Sequence, residues 1–146
     1  MKLQFQTATA EDIETIFAQA KQLIDTYEDT RTIEYEKVIA WVKRKITEYI
    51  SEYQCVLLSG EKCAYYRMCS NGEIDDLYVL PSYRSMGIGS EILRKCINES
   101  KEKLWLYVFC RNLRAISIYE RHGFTVRETV GKTRLIMERN GCHPEF

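Results

Sequence analysis

The chain has 146 residues, with 21 basic and 21 acidic side chains and a formal net charge of zero. This length fits one domain that buries about 70% of the surface of its unfolded chain. A hydrophobic fraction of 45% and a charged fraction of 29% exclude a disordered or collagen-like chain. The composition also predicts no membrane span, no secretory signal and no general nucleic-acid binding, because long apolar runs and a net positive charge are missing.

The two parts of the chain carry opposite charge. Residues 1–80 hold 9 Lys or Arg and 14 Asp or Glu, a net −5, whereas residues 81–146 hold 12 and 7, a net +5. An anionic ligand is expected to prefer the second part and a cationic ligand the first, unless both parts simply form solvated surfaces.

The six cysteines form neither a C-x-x-C pair nor a zinc-type spacing, so we expect no metal site. An even number of cysteines also fits disulfides. Because no secretory signal is apparent, reduced and mostly buried thiols in a cytoplasmic protein are the favoured interpretation.

The first half of the chain is predicted to contain a strand, two helices and three further strands. Residues 2–7 alternate in polarity, as a strand does. Apolar residues then recur at helical spacing before and after the polar link 28–32, which predicts two amphipathic helices. Turn residues separate three further strands, predicted over 54–58, 63–69 and 73–80.

The second half alternates helices and strands. A helix running to about residue 103 connects the strand at 73–80 with an apolar strand at 104–110, and a crossover of that length makes these two strands parallel neighbours. A helix from Asn112 to His122 and a final antiparallel pair follow. The fold class is therefore α+β, with a mostly antiparallel mixed sheet and one central parallel pair, in a single domain over 1–140 with a loose tail at 141–146.

Gly87 and Gly89 lie between the end of a predicted strand and the start of a helix. Backbone N–H groups in such a loop, next to the positive end of the helix dipole, form an anion cradle suited to phosphate. A side chain at either glycine would keep phosphate oxygens away or forbid the required φ. The alternative is a plain turn that uses glycine only for its geometry.

The loop sequence, residues 84–89, matches the pattern [RQ]-x-x-G-x-[GA] and so resembles the GNAT superfamily of N-acetyltransferases. A second match, formed by Asn112, Ala115, Tyr119-Glu120 and Gly123-Phe124, resembles the second cofactor segment of that family. Residues 82–93 also resemble polyamine N-acetyltransferases. Ser85 and Met86 depart from the basic or glycine residues frequent at these positions, which predicts weaker contact with the cofactor phosphates.

The resemblance implies helices on both faces of the sheet and a parallel pair splayed to admit acetyl-CoA. In the family, the loop amides bind the pyrophosphate, and the main chain around residues 77–79 pairs with the pantetheine arm and supplies a donor to the thioester oxygen. The cofactor-binding residues expected from it are Leu77, Tyr78, Val79, Arg84, Ser85, Met86, Gly87, Ile88, Gly89, Ser90 and Asn112.

Acetyl transfer to an amine needs a group that removes a proton, because an alkyl ammonium has a pKa near ~10.4 and cannot attack. Strand alternation places Asp75 on one face with Leu77 and Val79, and Asp76 on the other face unless a bulge intervenes. Asp75 matches the position where many family members carry the acid that takes this proton. Its alternatives are a solubilising acid or an ion-pair partner of Arg67, while Asp76 is a candidate for attracting a cationic acceptor.

Tyr119 is the second candidate catalytic residue. By its place in the family motif it would protonate the departing thiolate, and the alternative is a tyrosine that only packs in the core. Asn112 is expected to cap its helix and also to contact the cofactor.

The resemblance, together with these residues, implies a cytoplasmic, acetyl-CoA-dependent N-acetyltransferase, an acyltransferase that acts on a primary amine by direct attack in a ternary complex. The acceptor is a small amine, a polyamine-like molecule or a protein N-terminus, and the acidic link between the first two helices favours a cationic one. Trp41 is expected to pack in the core rather than line that site. A homodimer is a candidate state, because sheet edges in the family are often paired. The alternative function is a catalytically silent acyl-CoA-binding module with a regulatory or interaction role.

Overall fold

The computed structural model describes residues 1–141. Its strands are β1 (Leu3–Thr7), β2 (Tyr53–Leu58), β3 (Glu61–Met68), β4 (Ile74–Val79), β5 (Leu104–Phe109), β6 (Thr125–Val130) and β7 (Arg134–Arg139). Its α-helices are α1 (Ile13–Tyr27), α2 (Tyr35–Glu48), α3 (Ile88–Glu99) and α4 (Leu113–Arg121). Short 3-10 turns occur at Ala10–Asp12, Ile50–Glu52 and Pro81–Tyr83. The predicted tail at 141–146 lies, except for Gly141, outside the described residues.

Two antiparallel sheets form the centre of the fold. One has the order β1-β2-β3-β4 and the other the order β5-β7-β6. Within the described residues, the sheets are joined by one parallel bridge, between Glu73 and Trp105, where the Trp105 N–H donates to the Gly72 carbonyl at 3.1 Å. Beyond this bridge β4 and β5 diverge, so the predicted parallel pair is confirmed as a fork.

Helices cover both faces of the sheet, as predicted. The buried positions Ile16, Ala20 and Ile24 of α1 recur every four residues, and they pack with α2 against one face. The other face is covered by α3 and α4 and carries the core cluster around Ile92 and Leu106. The α+β class and this layering confirm the fold predicted from the sequence.

The middle of β4 contains a β-bulge. Tyr65 faces Tyr78 and Arg67 faces Asp75, so two β4 residues, Asp76 and Leu77, lie opposite one residue of β3. Asp76 takes a φ of 54°, in the left-handed region that aspartate tolerates better than most residues. The prediction that Asp75 shares a face with Leu77 and Val79 is therefore wrong, because the extra residue turns Asp75 toward α2.

Other sequence predictions hold with small changes of boundary. The helix predicted to reach about residue 103 ends at Glu99, because Ser100 is extended and the polar segment after it has no apolar side chain to bury. Five cysteines of the described part are free, and Cys55, Cys63 and Cys96 are buried, as expected. None of the described helices is both long enough and apolar enough to cross a membrane.

Candidate active site

The fork between β4 and β5 leaves main-chain groups of β4 without a strand partner. The Leu80 N–H donates to the Cys63 carbonyl of β3 at 2.8 Å. Since successive strand residues direct their main-chain groups to opposite edges, the N–H and carbonyl of Val79 point toward the fork, and those of Leu77 do the same. Tyr78 is buried on the α2 face, and its main-chain groups do not point toward the fork. Its contribution to this region is the side-chain hydroxyl, which donates to Asp76.

The glycine loop follows directly at the end of this strand. Arg84, Ser85, Met86 and Gly87 are exposed, and Ser85 and Gly87 take φ values of 67° and 85°. Such left-handed turns point successive N–H groups outward in an anion-binding nest. The loop predicted to hold phosphate therefore has the backbone geometry for it.

The N-terminus of α3 completes the cradle. Buried Ile88 anchors the first turn, and the first N–H that binds within the helix is that of Glu91, which donates to the Gly87 carbonyl at 3.0 Å. Among the described residues, no backbone carbonyl accepts from the N–H groups of Ile88, Gly89 and Ser90, which are available to an anion. A Cβ placed on Gly89 would meet only the Val79 Cγ2 at 3.7 Å, so the protein leaves this approach open.

Arginine side chains lie on both sides of the loop. Arg84 folds back, and its Nε donates to the Val79 carbonyl at 3.2 Å. Arg114 of α4 reaches across, and its Nη2 donates to Ser85 Oγ at 2.7 Å. Arg114 is not among the residues that the sequence predicts for the site, yet it brings a cation to the loop whose own residues 85 and 86 supply none.

Asn112 caps α4 as predicted. The Ala115 N–H donates to Asn112 Oδ1 at 3.2 Å, which leaves the amide group of Asn112 with donors for a second partner. The predicted cofactor contact of Asn112 is compatible with this cap.

Tyr119 packs its ring against the core cluster that also contains Leu77 and Val79 of β4, and its ring centroid lies 6.0 Å from that of Phe124. Burial raises the pKa of Tyr119 to about 12. Within residues 1–141, no fully buried side-chain polar atom lacks a hydrogen-bond partner, and the Tyr119 hydroxyl makes no hydrogen bond. The hydroxyl therefore reaches accessible space, protonated at neutral pH.

The two carboxylates of the β4 bulge meet one lysine. Lys45 Nζ lies 3.1 and 3.4 Å from the two oxygens of Asp75 and 2.8 Å from Asp76 Oδ2. Arg67 Nη1 also contacts Asp75, at 3.0 Å from Oδ2. The ion pair of Asp75 with Arg67 that the sequence leaves open as an alternative is therefore present. It does not exclude a catalytic role, because Oδ1 has only the long contact with Lys45.

Asp76 is held by hydroxyl donors as well. The Tyr53 hydroxyl donates to Oδ2 at 2.6 Å and the Tyr78 hydroxyl to Oδ1 at 2.5 Å. Burial opposes its charge, but Lys45 and the two tyrosines outweigh burial and lower the pKa of Asp76. Asp76 is thus a fixed anion whose oxygens are already engaged, which disfavours the predicted role of attracting an acceptor.

Asp75 behaves differently. Burial and the charge of Asp76 raise its pKa, against the opposing effects of Lys45 and Arg67. A carboxylate with a raised pKa accepts a proton more readily, as a general base must. Of the two neighbouring acids, Asp75 therefore fits that role better.

Glu73 is a third acid close to the fork and is not among the predicted site residues. It is partly buried at the bridge to Trp105, and burial followed by the charge of Asp75 raises its pKa. Within the described residues its carboxylate accepts no hydrogen bond, so it is the alternative acid to Asp75.

Trp41 lies at the edge of this region. It is 55% exposed, and Lys45 Nζ sits 5.8 Å from its ring centroid. The prediction that Trp41 packs in the core is therefore wrong, because α2 directs its neighbours Val42 and Ile46, and not Trp41, into the core. Among residues 1–141, no group of three or more His, Cys, Asp or Glu side chains could hold a metal ion.

Comparisons with known proteins agree with this geometry. The model of the acetyltransferase (GNAT) family matches residues 20–124. The PaiA N-acetyltransferase of Thermoplasma acidophilum, solved in complex with coenzyme A, has a TM-score of 0.67 and 21% identity, covering 96% of this chain and 99% of its own. A GNAT-family acetyltransferase of Streptococcus agalactiae has a TM-score of 0.73 and 12% identity, covering 97% of this chain and 96% of its own.

A third structure is a spermidine N-acetyltransferase chimera of Vibrio cholerae SpeG and hSSAT, with a TM-score of 0.69 and 13% identity over 96% of both chains. At such identities these structures show a shared fold, whereas the family model spans more than half of the sequence. A search of curated proteins found no significant match. The chain therefore belongs to the acetyltransferase (GNAT) family of acetyl-CoA-dependent N-acetyltransferases.

Proposed function

We propose that this chain transfers the acetyl group of acetyl-CoA to a primary amine by direct attack within a ternary complex. The observation that carries the proposal is the fork itself: an unpaired β4 edge that leads into a glycine loop and the N-terminus of α3. An extended, anion-terminated ligand such as acetyl-CoA fits that path.

The chain's own residues can hold the acetyl donor along the fork. Loop and helix N–H groups of residues 84–90, with Arg114 beside them, suit its phosphates. The outward N–H of Val79 or of Leu77 suits the thioester oxygen, where negative charge grows during attack. Bound there, the thioester supplies the activated acetyl group.

Two side chains, those of Asp75 and Tyr119, accept and donate the protons that the reaction moves. Asp75 Oδ1 accepts a proton from the acceptor ammonium, directly or through water, so that the amine can attack. The Tyr119 hydroxyl hydrogen-bonds to the departing sulfur and delivers a proton to it. The raised pKa of Asp75 is in the direction that a base needs. The raised pKa of Tyr119 keeps its hydroxyl protonated, so that it can act as a hydrogen-bond donor.

The acceptor is most consistent with a cationic amine, either small and polyamine-like or a protein N-terminus. The link between α1 and α2 is acidic, with Glu28, Asp29 and Glu34 near the α2 side of the sheet. Reduced, buried cysteines fit a cytoplasmic setting for this reaction.

A catalytically silent acyl-CoA-binding module is the second candidate. One observation favours it: Asp75 is already in contact with both Lys45 and Arg67. A silent module would bind acetyl-CoA without releasing the CoA thiol when amines are added, which separates the two functions.

The experiment that tests the proposed mechanism is the pH dependence of kcat/KM for wild type, Asp75→Asn and Glu73→Gln. We expect Asp75→Asn to lose the rate most below the pKa of the acceptor amine and to recover partly at high pH, where neutral amine is abundant. Glu73→Gln should keep the acid limb of the wild-type profile. Equal loss at every pH in Asp75→Asn, or loss of the acid limb in Glu73→Gln alone, would contradict the assignment of Asp75 as base.

A further inference from the structure

We infer that Lys45 is a positioning residue for acetyl transfer: its ammonium holds the two carboxylates of the β4 bulge together and keeps Asp75 ionised and aimed for proton transfer. This inference rests on the proposed function, in which Asp75 is the base. Lys45 lies 30 residues from Asp75 in sequence and on a different element, so the contact is made only by folding.

The contacts of Lys45 use all of its donors. An ammonium group has three N–H bonds, and three carboxylate oxygens lie around it: both oxygens of Asp75 and Oδ2 of Asp76. The side chains involved are well shielded from water, with exposed fractions of 16% for Lys45, 15% for Asp75 and 11% for Asp76. Shielded charges interact strongly, so the contact with Lys45 lowers the pKa of both carboxylates against the opposing effect of burial.

The backbone supplies a second reason for the lysine. Asp76 has a φ of 54°, and a left-handed φ at a residue other than glycine persists only where its surroundings hold it. Lys45, Tyr53 and Tyr78 all bind the Asp76 carboxylate and thereby stabilise the bulge. The bulge in turn brings Asp75 to the same face, so Lys45 fixes the direction in which Asp75 points.

Charge balance gives the lysine its influence on the reaction. Without the cation between them, each carboxylate opposes the ionisation of the other, and one of them takes up a proton at a higher pH even though Arg67 still contacts Asp75. Because Asp76 is held by two tyrosine hydroxyls, that proton would go to Asp75, which could then no longer act as a base. The titratable and charged groups that act on Lys45, on the two carboxylates or on Arg67 are Asp75, Asp76, Glu73, Tyr78, Tyr53, Arg67, Glu52 and Cys69.

The inference is tested by carboxyl-carbon NMR titration of Asp75 in wild type, Lys45→Met and Lys45→Arg. Loss of a contacting opposite charge should raise the apparent pKa of Asp75 by about 1 to 3 in Lys45→Met, and Lys45→Arg should stay close to wild type. The acid limb of kcat/KM should move to higher pH by the same amount. Lys43→Met is the matched control, because Lys43 lies on the same helix but pairs with Glu14 instead.

A second pair of variants keeps the test possible if Lys45→Met alone does not fold. Lys45→Met leaves two carboxylates without their cation, whereas the double variant Lys45→Met with Asp76→Asn removes one charge of each sign. Compared with Asp76→Asn alone, the double variant should again raise the apparent pKa of Asp75 by about 1 or more.

The outcomes separate the claim about Lys45 from the claim that Asp75 is the base. An Asp75 titration that does not move in Lys45→Met or in the double variant overturns the inference and leaves the proposed function standing. An acid limb that persists in Asp75→Asn overturns the base assignment, and with it the role of Lys45 in the reaction. A titration that moves while the acid limb does not would reduce Lys45 to a purely structural residue and also overturn the inference.

Discussion

Replacing Gly89 with aspartate places a carboxylate where the cofactor pyrophosphate is proposed to bind. The backbone of Gly89 is not in the left-handed region, and a Cβ there meets only the Val79 Cγ2 at ordinary contact distance. An acidic residue in the first turn of a helix also suits the helix dipole. The fold should therefore survive the substitution, and any loss of binding can be assigned to the ligand.

The magnitude follows from electrostatics. A carboxylate about 5 Å from a pyrophosphate that carries two charges costs about 1.7 kcal/mol even at the dielectric constant of water. The carboxylate would also compete for the N–H groups of Ile88 and Ser90 that are proposed to bind the phosphate. The Kd for CoA should therefore rise by at least about tenfold, since each tenfold change corresponds to about 1.4 kcal/mol.

Isothermal titration calorimetry with CoA measures this change, and thermal unfolding checks that the variant is folded. Asn98→Asp is the matched control, because it adds the same charge to α3 at an exposed position far from its N-terminus. Gly89→Ala separates the effect of volume from that of charge. A folded Gly89→Asp protein that binds CoA as tightly as Asn98→Asp would refute the loop assignment.

Three further predictions concern Tyr119, Arg114 and Asp12. Tyr119→Phe should lower kcat by about 10²–10⁴ with little change in CoA affinity; turnover near the wild-type value with a small loss of stability would mark a core tyrosine. Arg114→Ala should weaken acetyl-CoA binding about fivefold at low salt and less at high salt, whereas Arg121→Ala on the same helix should not; equal binding by both variants would remove Arg114 from the phosphate site. Asp12 is buried, and hydrogen bonds from Lys62, the Thr9 N–H and Tyr65 outweigh the effect of burial and lower its pKa. Asp12→Asn should therefore lower the free energy of unfolding by about 2 kcal/mol at pH 7. This loss of stability relative to wild type should shrink as the pH falls through the lowered pKa of Asp12 in the folded protein. A loss that is independent of pH would contradict the ion pair.

The order of elements, the parallel pair and the glycine loop could be predicted from the sequence because each depends on local patterns, whereas the splay of that pair is expected only from the resemblance to the family. Helical spacing in α1 and the strand–loop–helix–strand order around Gly87 reflect periodicity and turn chemistry over short stretches. The cap at Asn112 follows the same logic, since a helix N-terminus selects side chains that accept from its own backbone.

The bulge at Asp76 could not be predicted, because alternation assumes one residue per pleat and nothing local marks where an extra residue is inserted. The partners that hold it, Lys45 and Tyr53, come from other elements and meet β4 only in the folded chain. Trp41 shows the same limit, since helical spacing does not tell which residues beside an apolar face are covered by the rest of the fold. The proposed acceptor side, around the β4 bulge, is built from such long-range contacts and could not be predicted. The proposed cofactor side is built from the local sequence of the glycine loop and could be.

The central claim, amine-dependent acetyl transfer, is tested most directly by following release of the CoA thiol from acetyl-CoA while amines are added. Spermidine, an aminoglycoside, an amino acid and a peptide with a free N-terminus cover the acceptor classes that remain open, and mass spectrometry identifies the acetylated product. The proposed function predicts that at least one primary amine raises thiol release above background hydrolysis and yields an equal amount of acetylated amine. Tight binding of acetyl-CoA with no amine-dependent release by any of these acceptors would contradict the proposal and favour the silent binding module.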